Sequence, residues 1–173
     1  MTMGWHMMMQ FAPALFGCYL WEGNHSYELI RSSRECVINI PTAELAEIVV
    51  SVGNSSGSEL DKFEAFGLTA TSAACVGAPL INECYANFEC RLADDRQIDE
   101  YGLFIWKSLR DTSRLRLPSQ KRCTTAVRVI FELLCVCLIS ATDSSRRISS
   151  TVPDCGRHWA SRPPRDGTSA KNG

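Results

Sequence analysis

The stretch from Glu83 to Leu92 constrains the architecture more than any other part of this chain. Cys84, Ala86, Phe88, Cys90 and Leu92 alternate with Glu83, Tyr85, Asn87, Glu89 and Arg91. Successive side chains of a strand point to opposite faces, so a period of two buries one face and leaves the other wet or ligand-facing. That is the signature of an antiparallel sheet, since a parallel strand buried on both faces reads as a continuous apolar run. Other segments add strands to it. Leu15 to Leu20 follows Pro13, and the β-branched run Cys36 to Ile40 is stopped by Pro41. Leu68 to Ala73 and Tyr101 to Trp106 read as further strands, and MTMGWHMMMQF as a buried strand that begins abruptly.

Short helices fall between these strands. Ser26 is placed to cap a helix over Tyr27–Ser32, with Glu28 in its first turn. Thr42 starts a helix through about Val50 that gathers Leu45, Ile48 and Val49 on one face. Ser58 caps a third, where Asp61 stands in for the Glu of a capping box and Phe63 and Phe66 supply the apolar side. Asp94-Asp95 marks a turn. The expected fold is mainly β, an antiparallel barrel with short peripheral helices.

Two loops combine small polar residues with a helix start: Asn24-His25-Ser26, and Asn54-Ser55-Ser56-Gly57-Ser58. Each offers backbone N–H groups, a hydroxyl and the positive end of a helix, which is how a phosphate is held without a Walker loop. Lys62, the only lysine before residue 107, lies one turn further on. On spacing alone, ordinary capped surface helices are the plainer reading of both loops. Trp5 and His6 read as core packing at a strand edge. His6, His25 and His158 have no motif around them, so no catalytic acid, base or nucleophile emerges.

The nine cysteines include no CxxC pair, and zinc needs four ligands at loop-compatible spacing, so no metal site is expected. Reduced cysteines acting as small core hydrophobes in a cytoplasmic protein fit better. A bilayer span needs about 20 apolar residues, and the best run, Val129 to Ala141, is shorter and carries Glu132. The start has neither the basic region nor the small-residue cleavage site of a signal peptide. No membrane partner is expected.

Four segments in order carry a resemblance: MTMGWHMMMQFAPALFGCYL, NHSYELIRSSRECVINIPTAELAEIV, GNSSGSELDKFEAFGLT and GAPLINECYANFEC. Together they resemble the flavin reductase-like, FMN-binding split-barrel family, and most closely its flavoredoxin-type members, from Met1 to about Trp106. The resemblance implies an antiparallel split barrel, a homodimer, FMN near the subunit interface, and an NAD(P)H donor in the reductase subtype. Thr2 and Trp5 match the family's MTxxWH segment along the flavin. Ser26 matches the hydroxyl of its NxS/T turn, and Lys62 the lysine of its DKF segment, both FMN-contact positions. Asn24, Ser56 and Gly57 fall in matching loops. The family's preceding strand, which ends in a flavin-contacting Asn, has no counterpart here. An internal Met start, and a fold incomplete at both ends, are therefore expected.

The net charge of −1 divides at the point where the resemblance ends. Residues 1–106 carry 5 Lys and Arg against 14 Asp and Glu, and residues 107–173 carry 13 against 5. Arg and Ser make up 20 residues of the second part, without repeat or aromatic interleaving, so a nucleic-acid tail is not the expected reading. The genetic code offers a sharper one. Read one base out of step, KSLRDTSR from Lys107 permits VVKGHVA, and SQKRCTTAVRVIF from Ser119 permits PKALHYRGAGDF. The family continues from an FxxxEVVKA strand to a PKxLHYRGxGxF-like segment. The expectation is a partial domain over 1–106 followed by a frameshifted, poorly ordered tail over 107–173, and, as the resemblance implies, an FMN-binding oxidoreductase or electron-transfer flavoprotein impaired in this form. A non-catalytic flavin-binding module and a non-functional translated fragment are the alternatives.

Overall fold

A computed structural model describes residues 1–113 and 137–140. The first half runs β1 (Thr2–Met3), β2 (His6–Phe11), β3 (Ala14–Tyr19), α1 (His25–Ser33), β4 (Glu35–Ile40), a 3-10 turn (Ala43–Leu45) and α2 (Ala46–Gly53). It continues with α3 (Lys62–Ala65), β5 (Ala70–Thr71), β6 (Leu80–Ile81), β7 (Ala86–Asp94), α4 (Ile98–Tyr101), β8 (Leu103–Ser113) and β9 (Cys137–Ser140). Seven strands form one sheet in the order β1-β9-β4-β7-β8-β3-β2, every neighbouring pair antiparallel. Its two ends, β1 and β2, are separated in sequence only by Gly4 and Trp5. Three residue steps reach about 10 Å, so the sheet curls until its edges nearly meet. The result is a mainly β, barrel-like sheet with its split at the β1–β2 corner.

The curl encloses the main core. Phe16, Cys18 and Leu20 reach in from β3 and its end, Cys36, Ile38 and Ile40 from β4, Ala86, Phe88 and Cys90 from β7, and Phe104 and Trp106 from β8. The Phe104 and Trp106 rings stack at 5.7 Å. Tyr27 and Ile30 of α1 close one end, as the helix's apolar spacing anticipates.

The strand that set the expectation departs from it in one respect. Asn87 and Glu89, on the face expected to be wet, are buried. Residues 72–81 cross that face and are held by its polar groups. Glu89 Oε2 accepts from the Cys75 N–H, Glu35 Oε2 from Gly77 at 3.0 Å, and Asn39 Oδ1 from Ile81 at 3.1 Å. Buried polar groups need such partners; the loop's N–H groups supply them for Glu89 and Asn39, whereas Asn87 Oδ1 has none among the described residues.

Other boundaries also move. Helix α1 begins at His25, because Asn24 is extended and its carbonyl takes the Tyr27 N–H at 2.8 Å; Ser26 is therefore inside the first turn. The third helix is capped by Asp61 rather than Ser58 and starts at Lys62. The opening methionine strand is not buried: β2 pairs only with β3 and lies at the sheet's edge, with Met7, Met9 and Phe11 exposed. Cys18, Cys36, Cys84 and Cys90 are buried as expected of small core hydrophobes, whereas Cys75 is disulfide-bonded. Strand β8 passes through Lys107 without a break and pairs with β7 as far as Ser113, and residues 137–140 join the sheet as β9. The rest of the tail expected to be poorly ordered lies outside the described residues.

Candidate functional site

Lys62 organises one corner of the molecule. Asp61 caps α3 by accepting the Phe63 N–H at 3.0 Å, which fixes Lys62 as the helix's first residue. The Lys62 ammonium donates to the carbonyls of Val52 at 2.7 Å and Ser55 at 2.6 Å, at the end of α2 and the start of the following loop. An ammonium has three N–H donors, so two hold the loop and one remains. The half-buried setting lowers the Lys62 pKa through desolvation. The Met1 amino group nearby is brought down to about 5, chiefly by burial and then by the charge of Lys62.

Three other pieces meet there. The Thr2 hydroxyl donates to the Val49 carbonyl at 2.6 Å. A Cβ on Gly53 would lie 3.3 Å from the Thr2 side chain, so β1 rests on the end of α2. A Cβ on Gly57 would lie 3.2 Å from His25 Cδ2 and 4.0 Å from Lys62 Cε. Gly57 is therefore where the loop, the start of α1 and the lysine come together, with His25 the tighter neighbour. Ser56 and Ser58 pair through their hydroxyls at 2.7 Å, and the Ser58 N–H adds a bond to Ser56 Oγ at 3.3 Å.

The N-terminus of α1 contributes donors. Asn24 occupies the cap position, but its side chain makes no capping hydrogen bond. The first-turn N–H groups of a helix lack internal partners and carry the positive end of its dipole. Ser26 follows as the second residue of this helix, half-buried. Gly57 thus lies beside both His25 and Lys62, Thr2 is held on Val49 and Gly53 of α2, and Asn24 and Ser26 flank His25. Trp5 stands apart: its side chain is exposed beyond β1, and only its carbonyl is engaged, by the Tyr19 N–H at 3.1 Å. His25 is the residue that sequence reasoning left in a turn. Its one signal was its place between Asn24 and Ser26.

The corner has the chemistry of an anion cradle: one half-buried cation, two hydroxyl-bearing loops and helix N–H groups without a side-chain cap. No helix among the described residues is long and apolar enough to cross a membrane. An antiparallel split sheet with short peripheral helices defines a class of small β proteins. The chain belongs to the flavin reductase-like domain family, whose model matches residues 1–110 and so ends just past Trp106.

An uncharacterized protein of Archaeoglobus fulgidus is 33% identical over 112 residues, which cover 65% of this chain and 63% of that one. The uncharacterized protein YddH of Escherichia coli is 31% identical over 93 residues, 53% of this chain and 49% of its own length. The chain thus spans less than two-thirds of the length of these curated relatives. Among solved structures, an FMN-binding domain of a flavin reductases-like enzyme from Shewanella baltica superposes with a TM-score of 0.58 at 25% identity, covering 62% of this chain and 57% of that one. The flavoredoxin of Desulfovibrio vulgaris (Miyazaki F) shares the fold, with a TM-score of 0.61 at 24% identity over 69% and 67% of the two chains.

Proposed function

We propose that this chain is an FMN-binding protein of the oxidoreductase type, cytoplasmic and dimeric, with NAD(P)H as electron donor. The observation that carries the reading is the junction at Gly57, beside which stand His25, at the start of a helix without a side-chain cap, and the half-buried Lys62. The donor set suits a phosphate monoester: Lys62 supplies charge, the α1 N–H groups and Ser26 supply hydrogen bonds, and the Asn54–Ser58 loop supplies a wall of small residues. Thr2, tied to Val49, fixes the strand along which a planar ring would rest. FMN, when bound, supplies the hydride- and electron-accepting chemistry. The protein's part is to hold the phosphate and exclude water.

Titrating the full chain with FMN, followed by quenching of flavin fluorescence, tests this. Saturable binding, weakened by Ser26→Ala and by Lys62→Met, is the expected outcome. A wild-type chain that binds no FMN sinks it. NAD(P)H oxidation in the presence of bound FMN then separates a reductase from a non-catalytic flavin module, for which binding occurs without turnover.

We also propose that the reading frame changes near the Lys107 codon and that this form is impaired, since the expected HYRG segment is replaced. The coding DNA tests it: codons from Lys107 onward must yield VVKGHVA and PKALHYRGAGDF one base out of step, and any other translation rejects it.

A further inference from the structure

All five methionines fall within the first nine residues, and Met7, Met8 and Met9 are consecutive. Methionine in a strand is ordinarily core filling, and Met8 does pack toward the core. Met7 and Met9 do not: they are 56% and 46% exposed. Strand β2 lies at the sheet's edge, where Met7 stands opposite Gly17 of β3. The register then shifts between Met8 and Gln10, so Met9 is the extra residue of a β-bulge. A bulge re-aims the side chain it carries. Here it brings Met9 over the same glycine as Met7. A Cβ on Gly17 would lie 3.0 Å from Met9 Sδ and 3.4 Å from Met7 Cγ. The two thioether side chains therefore bend over one bare stretch of backbone, on the solvent side of the sheet.

The chemistry of that spot selects its ligand. Thioethers are soft donors and select Cu(I), whereas magnesium, calcium and manganese prefer carboxylate, carbonyl and water oxygens. Residues 1–21 contain no Asp, Glu, Lys or Arg, so the hairpin brings neither a hard ligand nor a repelling cation to the pair. Neutral donors cancel none of an ion's charge, and taking charge out of water is costly, so a monovalent ion suits them better than a divalent one. Trp5 extends the same edge. Its carbonyl takes the Tyr19 N–H at 3.1 Å, and its exposed side chain lies two residues from Met7, hence on the same face. An indole face attracts such a cation. His6 alternates to the other face with Met8, and Cys18 and Cys36 are sealed in the core, out of a surface ion's reach. Among the described residues, no group of three His, Cys, Asp or Glu is placed to hold a metal instead.

We infer that Met7 and Met9 form a surface site for a soft monovalent metal ion, Cu(I), held by their two thioethers beside the Trp5 indole. The inference rests on the hairpin alone and needs no FMN. The probe is the silver ion, a redox-silent monovalent ion of similar softness. It is titrated into the full chain, labelled with carbon-13 at the methionine methyl groups, after accessible thiols are alkylated with iodoacetamide. The Met7 and Met9 methyl signals are expected to move together and saturate, while those of Met3 and Met8 stay and zinc ion moves none of them. Met7→Leu and Met9→Leu, near-isosteric changes at exposed positions, are each expected to weaken silver binding at least tenfold, read on the remaining methyl. Met8→Leu is expected to bind as the wild type does. The other methionine signals show whether a variant is folded; should one unfold, the wild-type titration decides alone. Met7 and Met9 signals that ignore silver, a response of only one of them, an equal response to zinc, or a Met9 response unchanged by Met7→Leu would each overturn the inference. None of these outcomes bears on FMN binding, which is read separately by flavin quenching.

Discussion

Two glycines show how local geometry sets what a residue does. Gly102 ends α4 with φ +61°, and a Cβ there would lie 2.7 Å from the Leu20 carbonyl oxygen. Both the left-handed backbone and the backbone clash oppose a side chain. Gly102→Ala is expected to cost about 2 kcal/mol or more, measured as a lower urea midpoint. Gly57 has an ordinary backbone and would meet only the edge of an exposed histidine. Gly57→Ala is expected to cost under about 1 kcal/mol of stability and to lower FMN affinity by crowding the approach of His25 and Lys62. Equal loss of stability in the two variants would contradict this assignment. Asp94 gives a titration at the same scale. Hydrogen bonds from the Arg96 side chain and backbone hold its carboxyl down at about 2, below the ordinary 3.8. A depressed carboxyl contributes fully above its ordinary pKa, and the contribution is lost as pH falls through the folded value. The turn is therefore expected to loosen only between about 3.8 and 2, followed as the Asp94 carboxyl shift by NMR.

At the scale of elements, the strap over β7 joins Cys75 to Ile81 onto a layer of buried polar groups. Glu89 takes the Cys75 N–H and lies 3.9 Å from Arg110 Nε. Removing the carboxylate leaves a buried N–H without its partner. Glu89→Ala is expected to lower stability by about 1–3 kcal/mol and to raise amide exchange at residues 75–77 before it affects β4. The same strap explains what the sequence could and could not tell. Alternation along Cys84–Leu92 sufficed to find β7 and its core face, because Phe88 and Cys90 face inward wherever the strand lies. It could not reveal that Asn87 and Glu89 are covered, since their cover is a loop of small residues with no periodicity of its own. Helix starts were legible to within a turn, and missed where Ser26 and Ser58 competed with Asn24 and Asp61, residues equally good at capping. The hydroxyl loops and Lys62 stood out by residue type. Their meeting at Gly57, and the part of His25 in it, depends on long-range folding that no local spacing encodes.

At the scale of the whole molecule, curling the sheet brings Cys18 of β3, Cys36 of β4 and Cys90 of β7 into one core, with the Trp106 indole N–H donating to Cys18 Sγ at 3.1 Å. Burial pushes the Cys18 thiol up to about 12 and the Cys36 thiol well above its ordinary value, where the neighbouring Cys90 thiol adds to the effect. Because the thiolate is the nucleophile, these groups are inert while the barrel is closed. Their labelling therefore reports how the barrel opens. If β1 and β2 are merely the loose ends of an otherwise rigid sheet, fraying starts at the β2–β3 edge and Cys18 labels ahead of the pair on β4 and β7. If the stacked Phe104 and Trp106 hold both sides of the split as one cooperative core, the three cysteines label together. Strand β8 pairs with both β3 and β7, so it links Cys18 to Cys90 through a single strand and favours the second course. Pulses of iodoacetamide across a urea series, mapped by peptide mass, are expected to find Cys18, Cys36 and Cys90 protected below the unfolding midpoint and modified in step above it. Early modification of Cys18 alone would show that the split, rather than the core, sets the stability of the fold.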